Sequence, residues 1–207
     1  AIRGTIKGLK DGVATTPELR EKFLDTAYRR TIEMDRLLER LFYFSKLETG
    51  NMPLFLEKTE WSEYLEVYVK RYRSMIENEA IRFKMKDIKK GLFSNVDREQ
   101  MKRILDNILE NSKKYAETDQ LEITINVFEE DTYVVLEISD NGCGVSEDKI
   151  PHIFEHFYRG DESRNIKEGN GLGLYIVKYL VDAMGGSVDA ENSNGLTIRI
   201  RLPILDE

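Results

Sequence analysis

The run Tyr133 to Ser139 alternates apolar and polar residues, which predicts a strand with Val134, Leu136 and Ile138 on one face. Asp140 continues that parity, so a carboxylate closes an inward-facing apolar row. A buried carboxylate is costly unless donors are aimed at it. Any fold this chain adopts must therefore bring partners to Asp140. That residue also opens a glycine-rich stretch reaching Leu174. It begins Asp140-Asn141-Gly142-Cys143-Gly144 and ends Gly169-Asn170-Gly171-Leu172-Gly173-Leu174.

Upstream, the pattern is helical. Thr16-Pro17 reads as an N-cap followed by proline at the first helical position. The helix continues to about Glu48, after a shorter piece from Ile2 to about Val13. Leu19, Phe23, Ala27, Met34, Leu37, Leu38, Leu41, Phe44 and Leu47 form a seam at three- and four-residue spacing. Two helices cannot bury such a seam alone, so a partner is expected, either a second chain or the rest of this one. Thr49-Gly50-Asn51-Met52-Pro53 punctuates the chain. We read 1–50 as a helical hairpin, 51–58 as a linker and 59–207 as a second domain.

In the second domain, Ser62 is expected to cap a helix through about Asn78. Strands are expected at Ile81–Met85 and Leu92–Val96. Asp97 with Gln100 resembles a capping box for a helix to about Tyr115. Leu121–Phe128 and Tyr133–Ser139 alternate around a Glu129-Glu130-Asp131 turn. Gly171–Met184 reads as a helix stopped by Gly185-Gly186, and Ser187–Ala190 pairs with Leu196–Leu202 around Asn194-Gly195. The fold class is α+β: an α/β sandwich, with a mixed and mostly antiparallel sheet packed on helices, behind a helical hairpin.

The net charge of −7 disfavours nucleic acid or anionic lipid as the main partner. Cys143 is the only cysteine, so no disulfide forms within the chain, and no zinc cluster is present. No apolar run approaches the ~18 residues that span a bilayer. Ala1-Ile2-Arg3-Gly4 is not a signal peptide and lacks an initiator Met. The chain reads as a segment whose membrane anchor, where there is one, lies elsewhere.

Asp140 can accept from an exocyclic amine such as that of adenine, with Gly142 and Gly144 letting backbone approach the base. It can equally be a plain Asp-Asn-Gly turn. Asn107, Asn111 and Lys114 fall together on one edge of the predicted helix. Two amides and an ammonium there can hold a hydrated Mg²⁺ with phosphates, or simply flank an amphipathic helix. Glu110 points further round, toward solvent. Glycines ahead of a helix expose free N–H groups for an anion. Arg159 to Glu168 has little to bury, as a lid or a surface loop would. His152 and His156 read as orienting or exposed residues of a short helix.

Together these elements resemble the catalytic core of bacterial sensor histidine kinases. Asn107-Ile108-Leu109-Glu110-Asn111-Ser112-Lys113-Lys114-Tyr115 is similar to that family's N box. Asp140-Asn141-Gly142-Cys143-Gly144-Val145 resembles its first glycine box, and Ile153-Phe154-Glu155-His156-Phe157-Tyr158-Arg159 its phenylalanine box. Gly169-Asn170-Gly171-Leu172-Gly173-Leu174 resembles its second glycine box, all in family order. Ala1-Ile2-Arg3-Gly4 is similar to the residues just after the phosphoacceptor histidine, and Ser45-Lys46-Leu47-Glu48 to the end of the second dimerisation helix. Four departures stand out: Asn170 where Thr or Ser is usual, Cys143 where an aliphatic is usual, a fairly short lid, and Leu196 rather than Thr197 at the place of a small hydroxyl residue.

The resemblance implies a Bergerat-type site for ATP and Mg²⁺. Asn111 would ligate the metal and Asp140 the adenine amine, beside Gly142 and Gly144. Asn107, Lys114, Tyr115, Tyr158 and Arg159 would line the nucleotide, and Gly169, Gly171, Leu172 and Gly173 would border the phosphates. It further implies a homodimer through the N-terminal helices, a response-regulator receiver domain as partner, and a cytoplasmic domain of a membrane-anchored parent. The phosphoacceptor histidine would be absent from this chain, which then binds ATP without phosphorylating itself. Two other readings remain open: a nucleotide-gated scaffold or response-regulator phosphatase, and another ATPase of the same superfamily.

Overall fold

The computed structural model describes residues 2–48, 52–75, 81–156, 158 and 171–205, with some side chains between 33 and 48 left out. The chain divides into two compact units, Ala1–Met52 and Pro53–Glu207.

The first unit is a helical pair, α1 (Ile2–Lys10) and α2 (Pro17–Glu48). Thr16 caps α2 as its sequence predicts, its Oγ1 accepting from Leu19 N at 3.2 Å. Helix α1 stops at Lys10 rather than Val13, because Gly12 takes a left-handed φ of 73° and turns the chain. Ala14 is buried in the connection, while Leu19, Phe23 and Ala27 are half-buried. Leu24, Tyr28, Met34 and Leu38 are exposed. At 100° per residue these four fall within about one third of the helix circumference, so the apolar stripe stays open within this unit.

The second unit is built on a five-stranded sheet in the order β2-β4-β5-β7-β6. Its strands are β2 (Ile81–Ile88), β4 (Leu121–Glu130), β5 (Tyr133–Asp140), β6 (Ser187–Asn192) and β7 (Leu196–Pro203). β2 and β4 run parallel and the other neighbours antiparallel, so the sheet is mixed and mostly antiparallel. The parallel pair needs a crossover, and α4 (Arg98–Tyr115) lies between them in sequence. Inward rows from β4 (Leu121, Ile123, Ile125, Val127), β5 (Val134, Leu136, Ile138) and β7 (Ile198, Ile200, Leu202) are buried. The helices supply the facing apolar residues: Trp61, Leu65 and Val69 from α3 (Trp61–Met75), Ile104, Leu105 and Ile108 from α4, and Val177, Leu180 and Val181 from α5 (Gly173–Ala183).

The opposite sheet face carries charge. Arg199 donates to Glu137 at 2.9 Å and Glu191 at 2.8 Å, and Arg201 to Glu130 at 3.0 Å and to Asp189. Such cross-strand pairs fix register more than they add stability.

Several local expectations change. A strand β1 (Glu57–Glu60), invisible in the polar sequence Glu-Lys-Thr-Glu, pairs antiparallel with β3 (Phe93–Val96) and begins inside the stretch read as linker. Ser62 does not cap α3. The carboxylate of Glu60 does, accepting from Glu63 N at 2.7 Å, from Ser62 Oγ at 2.8 Å and from Gly91 N at 2.9 Å. Asp97 caps α4 as expected, taking both Glu99 N and Gln100 N at 3.1 Å. The β4–β5 turn tightens to Asp131-Thr132, with Asp131 at φ 54°, because β4 continues to Glu130. Helix α5 begins at Gly173, two residues later than its glycines suggest.

Partial burial pushes the Glu60 carboxyl up, but its three donors outweigh this and hold it below the ordinary value of 4.5. A depressed folded value means stability that is present above the ordinary carboxylate range and lost as pH falls through the folded value. Glu60→Gln is therefore expected to be less stable than the parent at neutral pH. The difference shrinks as pH drops below about 4, as urea midpoints at each pH will show.

Candidate nucleotide site

Asp140 is buried at the end of β5, where its register partner on β4 is Ile123. Three elements send donors to it. Gly142 N, in the turn just beyond, reaches Oδ1 at 3.0 Å. Leu196 N, at the start of β7, reaches the same oxygen at 3.1 Å. Ser112 Oγ, from α4, donates to Oδ2 at 2.7 Å. All three contacts are accepted by the carboxylate, which leaves acceptor capacity on Oδ2.

The loop after Asp140 is held on every side that the structure describes. Asn141 bridges the approach to β4, its Oδ1 accepting from Glu122 N at 2.8 Å and its Nδ2 donating to Gln120 O at 3.0 Å. Cys143 N donates to Ala116 O at 2.9 Å. Asn192, at the end of β6, accepts from Val145 N at 3.0 Å and donates back to Val145 O. Gly144 sits directly against that amide. Gly142 is pressed on the end of α4: a methyl there would lie 2.4 Å from Ala116 Cα. Gly195 has φ 139°, and a methyl on it would lie 2.0 Å from Asp140 O. At these two positions only glycine fits.

Helix α4 carries the remaining residues. Asn111 is half-buried. Asn107 Nδ2 donates to Arg103 O at 2.8 Å, one turn back, and its Oδ1 faces the start of α5, where a methyl on Gly173 would meet it at 3.3 Å. Lys114 leans along the helix to Glu110 at 3.6 Å. Glu110, expected to be left in solvent, is exposed but takes Lys114 as its i,i+4 partner. An exposed pair of this kind is weak, so the ammonium can turn to a stronger anion. Tyr115 is half-buried and its carbonyl accepts from Cys143 Sγ at 3.4 Å.

Thus α4 measures the site. Ser112 touches Asp140 and Asn107 faces Gly173, five residues or about 7.5 Å apart along the axis. At the α5 end, Gly171 is half-buried and Leu172 is buried as the N-cap. The N-cap residue Leu172 makes no side-chain cap bond, and free N–H groups at a helix start suit an anion.

Tyr158 is half-buried, with its ring centroid 5.6 Å from that of His152. His152 lies in a 3-10 turn (Ile150–His152) and contacts Glu155 at 2.7 Å, while the ring of His156 lies 5.8 Å from that of Tyr175. Arg159 and Gly169, with the stretch expected to form a lid, lie outside the described residues. Ser112, Asn141, Asn192 and Gly195 are site residues that the sequence reading did not single out. Ser112 had a visible signal, a hydroxyl within an otherwise apolar helical arc.

A helix-backed mixed sheet with a buried acceptor at one end of a helix, and a second helix that starts just after a glycine at the other, is the build of a nucleotide-binding α/β sandwich. Residues 96–206, more than half the chain, match the family described as histidine kinase-, DNA gyrase B-, and HSP90-like ATPase, and the chain belongs to that family. The sensor histidine kinase WalK of Bacillus subtilis is 28% identical over 210 residues, covering 100% of this chain and 34% of its own length. Sensor protein SrrB of Staphylococcus aureus is 26% identical over 205 residues, covering 98% and 35%. The chain spans about a third of the length of these curated relatives. Among solved structures, the histidine kinase AdeS of Acinetobacter baumannii has a TM-score of 0.74 at 19% identity, covering 99% of this chain and 94% of that one. The catalytic domain of histidine kinase ThkA has a TM-score of 0.61 at 22% identity, covering 72% of this chain and 96% of that one. These likenesses establish the fold.

The contact at Gly142 predicts that Gly142→Ala forces the loop off Ala116 and destabilises the domain by about 2 kcal/mol or more. A lowered urea midpoint will register this.

Proposed function

We propose that this chain is the ATP-binding kinase core of a two-component sensor. It holds ATP with Mg²⁺ and presents the γ-phosphoryl group to a histidine, from which the group passes to an aspartate of a response-regulator receiver domain. The observation that carries this reading is Asp140, a buried acceptor-only group with capacity left on Oδ2. A purine amine supplies the missing donor.

The residues divide the work. Asp140 orients the base, with Gly142 and Gly144 holding the loop close to it. The N–H groups after Gly171 and Leu172, at Gly173 and beyond, receive phosphate oxygens. Asn111 is the metal ligand, a single amide oxygen that suits a cation keeping most of its waters. Mg²⁺, when bound, neutralises phosphate charge. Asn107, Lys114, Tyr115, Tyr158, Arg159 and Gly169 complete the nucleotide lining. The protein's contribution is positioning and charge stabilisation rather than covalent chemistry.

The exposed stripe of Leu24, Tyr28, Met34 and Leu38 supports a homodimer through α2. The domain organisation is then 1–50 as dimerisation hairpin, 51–56 as linker and 57–207 as catalytic domain, which takes in β1. No helix among the described residues is long and apolar enough to cross a membrane. We assign the chain to the cytoplasmic side of a membrane-anchored parent.

Asp140→Asn places an amide where the base needs an acceptor, so ADP affinity should fall about a hundredfold or more. Unchanged calorimetric affinity would remove Asp140 as the anchor. The only histidines, His152 and His156, lie outside the hairpin. Incubated alone with γ-radiolabelled ATP, the chain is expected to take up no acid-labile label. Label on the chain would contradict the assignment of the acceptor to a hairpin histidine.

A further inference from the structure

Ser112 is a buried serine in the middle of an apolar helical arc. Alanine would serve the helix better, since serine has lower helical propensity and a polar group to satisfy. The usual local outlet for such a hydroxyl is the carbonyl four residues back. Here its single proton goes instead to Asp140 Oδ2, 2.7 Å away and 28 residues on in sequence. An ionised carboxylate offers about four acceptor positions. Gly142 N and Leu196 N fill those of Oδ1, and Ser112 takes one of Oδ2.

We propose that Ser112 is a base-selecting positioning residue: it pins Asp140 so that the one acceptor position left on Oδ2 meets the 6-amino group of a purine and opposes a 6-oxo group. This rests on the proposed nucleotide function. With its proton committed to the carboxylate, Ser112 cannot offer a donor to a 6-oxo oxygen without releasing Asp140. Ser112 also neighbours Asn111, so one turn of α4 fixes both the base contact and the proposed metal ligand.

The test is calorimetry on the 207-residue chain with ADP and with inosine diphosphate, which carries oxygen in place of the amine. Ser112→Ala leaves Asp140 unpinned, with an extra solvated position to strip on binding. It should weaken ADP about tenfold while changing inosine diphosphate little, so the preference between them falls by about that factor. Ser112→Thr keeps the hydroxyl and should keep the preference. Equal losses for both nucleotides would mark Ser112 as merely structural and overturn the proposal, as would an unchanged ratio in Ser112→Ala or a ratio lost equally in Ser112→Thr. Failure of the parent chain to bind either nucleotide would instead overturn the nucleotide function itself, and this proposal with it.

Discussion

A carboxylate at the end of an apolar strand row is the constraint around which the second unit is arranged. Left without donors, buried Asp140 would cost several kcal/mol. Its three donors come from a helix, a turn and a distant strand, namely Ser112, Gly142 and Leu196. No local segment can provide them together. Closure of α4 onto the sheet, and of β7 beside β5, must occur before the charge is satisfied. The polar anchor and the apolar core are therefore cooperative. The core residues Ile108 and Leu109 bring Ser112 into place, and the register Ile138↔Ile198 brings Leu196 N within reach.

The two ends of the site are chemically opposite. Asp140 only accepts, and the first turn of α5 offers only donors. A ligand with an amine at one end and an anion at the other is read in a single orientation. The Asp140 end is held without any ligand, since Asn141, Ala116 and Asn192 fix the loop on three sides. Such preorganisation spares binding the entropy of ordering that loop. Helix α4 sets the spacing between the ends. Its position depends on the Asp97 cap and on packing against the inward rows of β4 and β5.

The sequence made legible whatever rests on local periodicity or local chemistry. The alternation of β4 and β5, the Thr16-Pro17 start of α2 and the Asp97 cap are of this kind, as is the parity that turned Asp140 inward. The features it concealed depend on partners far away in the chain. β1 is a polar tetrapeptide that becomes a strand only because β3 lies beside it. Glu60 displaced Ser62 as the α3 cap because Gly91, 31 residues later, supplies a third donor to its carboxylate. The Asn192 clamp on Val145 crosses 47 residues. The need for glycine at 195 arises from Asp140 O, not from the hairpin alone.

Strand parity also explains how the anchor is completed. The resemblance to sensor kinases places a small hydroxyl residue near Leu196, but Thr197 is one residue off that register. With Ile198 and Ile200 facing the core, Thr197 must face the other side of the sheet. There its Oγ1 pairs with Ser139 Oγ at 2.8 Å and cannot serve Asp140. At position 196 the side chain is apolar and buried, so β7 contributes only its backbone N–H. Among the described contacts of Asp140, the side-chain hydroxyl comes from Ser112. That hydroxyl sits on a helix whose neighbouring residues Ile108 and Leu109 are buried in the core. Helix α4 therefore supplies the one hydroxyl on the carboxylate and also faces the start of α5 through Asn107.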